Sequence, residues 1–82
     1  MDIAAQVSIY PLRQSHLTLA IGKATETFKK YGLNVEVGAM STVLSGNDEA
    51  LFGALKEVFA SLADKGELVM MVTFSNTCPV GK

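Results

Sequence analysis

The chain reads as an α+β sandwich, a four-stranded antiparallel sheet with two helices on one face. Three observations predict it. Residues 2–10 and 67–75 alternate side chains with the two-residue period of a strand. Two longer segments, 16–31 and that between Asp48 and Gly66, repeat apolar residues at the helical spacing of three and four. Between them two short strands flank Gly38-Ala39. In the order βαββαβ, right-handed crossovers place both helices on one side of a sheet ordered 4-1-3-2, the ferredoxin-like arrangement.

In the first strand Ile3, Ala5, Val7 and Ile9 face one way, and Ala4, Gln6, Ser8 and Tyr10 the other. Pro11, which cannot donate to a ladder, stops it. Ser15 is the expected N-cap of a helix from about His16 to Tyr31, with Leu17, Ala20, Ile21, Ala24 and Phe28 as its apolar stripe. Lys29 and Lys30 suit its negative end, and Gly32 the position just beyond. A second strand, Leu33 to Val37, sets Leu33, Val35 and Val37 against Asn34 and Glu36. The third spans about Met40 to Ser45 and is expected to end at Gly46. Thr42 with Leu44 and Ser41 with Val43 are so nearly matched that the pattern leaves its buried side open.

Asn47 or Asp48 caps the second helix, whose stripe is Leu51, Leu55, Val58, Phe59 and Leu62, widened by Phe52. Gly66 ends it. In the last strand Leu68, Met70, Val72 and Phe74 form an apolar side, while Val69, Met71, Thr73 and Ser75 form a mixed, hydroxyl-bearing one. Residues 79–82 read as a tail.

Eighty-two residues make one domain, and a body of that size buries only about 60–65% of its unfolded surface. With 49% hydrophobic residues, part of that apolar content is expected to be hidden by association. A net charge of −1, from seven basic and eight acidic residues spread along the chain, argues against nucleic acid and gives no polybasic segment for an anionic membrane. One cysteine allows no internal disulfide and no Cys-x-x-Cys pair; one histidine, His16, gives no histidine-based metal site. No signal-peptide pattern or membrane-length apolar run occurs, so a cytoplasmic protein is expected.

The functional question is the sheet side away from the helices, which collects Gln6, Ser8, Tyr10, Glu36, Met71, Thr73 and Ser75. A ring, a thioether, an amide, hydroxyls and a carboxylate suit a flat, polar-edged, cationic small molecule. The alternative is a structural or regulatory oligomerisation domain whose sheet side is covered by a second copy.

Three stretches of the chain resemble the thiamine-binding YkoF-like family. They are Val7-Ser8-Ile9-Tyr10-Pro11-Leu12, Met40-Ser41-Thr42-Val43-Leu44-Ser45-Gly46 and Thr73-Phe74-Ser75-Asn76-Thr77-Cys78-Pro79. Phe52, Lys56 and Phe59, with Gly66-Glu67, fit its pattern too. The resemblance implies a ferredoxin-like fold and a homodimer or homotetramer assembled through the sheet. It also implies non-catalytic binding of thiamine or hydroxymethylpyrimidine, as ligand rather than cofactor. Carried over by position, the ligand-binding residues are Ser41, Thr42 and Ser75, then Ser8 and Tyr10, with Cys78 near the mouth. The acid and histidine that relatives carry before the Ser-Thr pair are replaced by Gly38 and Ala39, and Glu36 is the candidate for the carboxylate.

Other chemistries have weaker support. Cys78 lacks a neighbouring base that would make it a nucleophile. Arg13 lacks the glycine-rich cradle of an anion-binding loop. The first and third strands lack the aromatic set that stacks on RNA bases.

Overall fold

The computed structural model describes residues 1–13 and 17–77. Its elements are β1 (Asp2–Pro11), α1 (Leu17–Lys30), β2 (Asn34–Val37), β3 (Thr42–Asn47), α2 (Asp48–Ala63) and β4 (Leu68–Ser75). They form one antiparallel sheet ordered β2-β3-β1-β4, the expected order read from the other edge. The expected cap Ser15, together with His16, Cys78 and Pro79 of the C-terminal segment, lies outside the described residues.

Alternation in β1 sets the faces. Ile3, Ala5 and Val7 are buried against Ala20, Ala24 and Phe28 of α1 and against the Leu51–Leu62 stripe of α2. Cross-strand partners share a face, and Val7 stands opposite Thr42 while Ala5 stands opposite Leu44. The Thr42–Leu44 side of β3 therefore faces the helices, which settles what the sequence pattern leaves open. Leu44, wholly buried, wins that side for the core.

Local chemistry ends each helix as its sequence implies. Gly32 (φ +79°) follows α1; its N–H donates to the Lys29 carbonyl and that of Leu33 to the Phe28 carbonyl, closing a Schellman motif. The Asn47 side chain accepts from the N–H groups of Glu49 and Ala50 at 3.0 and 3.3 Å, capping α2. β3 departs from expectation. It starts two residues later, at Thr42, and continues through Gly46 into the cap itself, because Gly46 adopts φ +153° within the strand.

One polar cluster ties the helices together. The Tyr31 hydroxyl and the Lys30 ammonium donate to the two carboxylate oxygens of Glu57, at 2.7 and 2.8 Å. The Lys30 hydrogen bond, then that of Tyr31, holds the Glu57 carboxyl below its ordinary value of 4.5. A depressed carboxyl contributes stability that is present above that value and lost as pH falls through the folded one. Glu57→Gln is thus expected to lower the thermal midpoint at neutral pH, with the gap from wild type closing below pH 4.5. Melting curves across that range check it; a gap that persists in acid contradicts it.

Candidate functional site

Strand lengths build the site. β1 pairs with β4 as far as Pro11↔Leu68, but its pairing with β3 stops at Val7↔Thr42. Beyond that point the ladder on the β3 side of β1 gives out, leaving a notch beside Ser8, Ile9 and Tyr10. The β2–β3 hairpin, residues 38–41 held by a Gly38 N–H donating to the Ser41 carbonyl at 2.8 Å, forms its far wall. Ile21 and Ala24 of α1 floor it. The hollow, ≈ 290 Å³, is lined mostly by apolar groups, and Ser8, Tyr10, Ser41 and Thr42 are among its residues.

Four of the residues singled out from sequence therefore meet in one place. Ser41 and Thr42 reach it from opposite faces of their strand: Thr42 stands on the helix side, opposite Val7, while Ser41 is oriented by the Gln6 amide, which donates to its hydroxyl at 3.2 Å. Tyr10, on the open side, is 46% exposed.

The structure does not bring the others there. Ser75 pairs with Ala4, four residues along β1 from Ser8 and so about 13 Å away. It lines a second hollow, ≈ 470 Å³, with Asp48, Phe52, Phe74 and Thr77, and its hydroxyl lies 3.0 Å from that of Thr77. Glu36 lies opposite Val43 on the open face, outside the lining of the notch. Cys78 is outside the described residues. No cluster of metal-ligating side chains occurs among the described residues.

Sequence reasoning missed the notch itself. Side-chain parity gives the face of Ser75 but not its row, and the row is what separates it from Ser41. The available signal was the contrast between a long β1 and a shorter β3 preceded by Gly38-Ala39.

A ferredoxin-like α+β sandwich, with one sheet face left bare by the helices and a notch beside the end of β1, defines the fold class of this protein. The chain belongs to the YKOF-related family, whose model matches residues 2–81. UPF0045 protein MJ1052 of Methanocaldococcus jannaschii is 38% identical over 69 residues, 83% of this chain and 69% of that protein. A crystal structure of MJ1052 gives a TM-score of 0.85 at 33% identity, covering 94% of this chain and 81% of that one. A Thermotoga maritima protein assigned provisionally to thiamine biosynthesis or salvage shares the fold, with a TM-score of 0.80 at 20% identity over 94% of this chain and 85% of that one.

Proposed function

We propose that the chain is a non-enzymatic binder of thiamine or its hydroxymethylpyrimidine part, serving in the cytoplasm as carrier, buffer or sensor in vitamin salvage. One observation carries this reading: four hydroxyl-bearing residues from two segments, Ser8 and Tyr10 of β1 and Ser41 and Thr42 at the start of β3, line a notch where the ladder of β1 has run out. An aminopyrimidine presents an amino donor beside a ring-nitrogen acceptor. That edge matches the alternating carbonyl and N–H groups of a strand margin, with Ser41 and Thr42 orienting it and Tyr10 stacking on the ring. A hollow of ≈ 290 Å³ sits at the small end of ligand pockets, roughly 300–1,000 Å³, which favours the pyrimidine part as the group enclosed. Membership of the YKOF-related family and the assignment given to the T. maritima protein of the same fold support the choice of ligand.

Ser41→Ala and Thr42→Val are each expected to weaken hydroxymethylpyrimidine binding by about 1–2 kcal/mol, the scale of a lost hydrogen bond in a half-enclosed site. Ser75→Ala should leave it unchanged. Calorimetric titration of the three variants checks this, and a loss confined to Ser75→Ala would move the site to the other end of the sheet.

The second reading, a structural or regulatory oligomerisation domain, is favoured by the open face itself. Tyr10, Val43, Val69 and Met71 expose apolar surface there. We infer in either case a homodimer or homotetramer formed through the sheet. Neither nucleic acid nor membrane is a partner in this reading, and among the described residues no helix is long and apolar enough to cross a membrane.

A further inference from the structure

Met40 lines the notch from the tip of the β2–β3 hairpin, yet it is 88% exposed, the most exposed of the large apolar side chains among the described residues. A single methionine on a surface is ordinary. This one stands at the mouth of a mostly apolar hollow, with Val37, itself exposed, on the same hairpin and also in the lining.

The hairpin explains why the side chain stands free. Its turn is closed by the Gly38 N–H donating to the Ser41 carbonyl at 2.8 Å. A Cβ added at Gly38 would stand 3.0 Å from that same oxygen, so a side chain there would press the turn open. Gly38 and Ala39 therefore place little bulk beside Met40 on its own hairpin. Methionine is unbranched, turns about three bonds, and carries a polarizable sulfur that sits well against aromatic rings. It can fit its shape to a flat ligand at small cost.

We propose that Met40 is a ligand-contact residue, whose side chain folds from the hairpin onto the bound ring and covers ring surface otherwise left to water. This rests on the pyrimidine-binding reading above and adds to it the residue that closes the site. Ser41 and Thr42, next in the chain, address the polar edge of the ring, while Met40 supplies apolar cover. Closure removes apolar area of both thioether and ring from water, and the ordering of a flexible side chain opposes it. The balance is an affinity gain of roughly tenfold.

Calorimetric titration of hydroxymethylpyrimidine into wild type, Met40→Ala, Met40→Gln and Met40→Leu tests this, with the methionine methyl resonances followed through the titration. Expected is a loss of affinity of roughly tenfold in Met40→Ala and Met40→Gln. Met40→Leu, apolar and of similar volume, should stay within about threefold of wild type. The Met40 methyl should shift upfield as the ring covers it, while that of Met1, which lines the second hollow, stays in place. Urea midpoints and sedimentation of the ligand-free variants should match wild type, because so exposed a side chain contributes little to the fold. A variant that loses stability or self-association without ligand overturns the proposal by making Met40 a structural contact. Binding that Met40→Ala leaves within about twofold of wild type, well short of the burial gain, or a Met40 methyl that does not move as the ring binds, overturns this inference alone. No binding of the pyrimidine by any of these proteins overturns the reading beneath it as well.

Discussion

Phe28→Ala is expected to destabilise the domain by about 3–5 kcal/mol, the range for truncating a fully buried aromatic side chain. Phe28 is 1% exposed and belongs to the cluster in which α1 meets α2 and the covered face of the sheet. Its carbonyl also accepts from the Leu33 N–H at 3.2 Å, so the ring sits where α1 turns into β2. At roughly 0.05–0.15 kcal/mol per residue, a chain of 82 residues has about 4–12 kcal/mol in all. The variant should therefore lose from about a quarter of its stability to all of it, with a matching fall in the denaturant midpoint. Equilibrium urea unfolding decides; a change under 1 kcal/mol, far below the truncation range, would mean that the helices are not packed as described.

Gly46→Val is expected to cost about 2–4 kcal/mol, from backbone strain together with overpacking. At φ +153° an added Cβ would stand 2.8 Å from Cδ2 of Leu33, which is buried and has little room to yield. The consequence reaches the notch. Gly46 pairs with Ile3 four residues from Thr42, and strain at that pair loosens the register that carries Ser41 and Thr42 to their places. Urea unfolding of Gly46→Val reports the stability loss, and its chemical shifts at Thr42 report the register; a variant as stable as wild type contradicts the account of β3.

How much of this was legible in the sequence depends on how unbalanced each pattern is. In β1, alanine, valine and isoleucine on one side against glutamine, serine and tyrosine on the other fixed the face without ambiguity. Leu68 to Ser75 did the same, and cross-strand pairs such as Gln6↔Thr73 and Ser8↔Met71 follow from that alternation. β3 was not legible because Thr42 and Ser41 compete as near equals and only the tertiary contact of Leu44 decides between them. Gly46 misled for a physical reason: glycine ends strands often, but it also lets one continue where a neighbour occupies the space of a side chain. The site was half legible. Ser8, Tyr10, Ser41 and Thr42 meet, whereas Ser75 shares a face with Ser8 and Ser41 yet sits about 13 Å along the sheet, a separation that two-residue periodicity does not encode.

Direct titration of hydroxymethylpyrimidine and of thiamine into the intact protein by calorimetry tests the central claim most directly. The notch predicts saturable heat with one site per chain for the pyrimidine alone, lost when Tyr10→Ala removes the ring beside it. No heat and no thermal stabilisation with either compound at millimolar concentration would leave the sheet without a vitamin to hold.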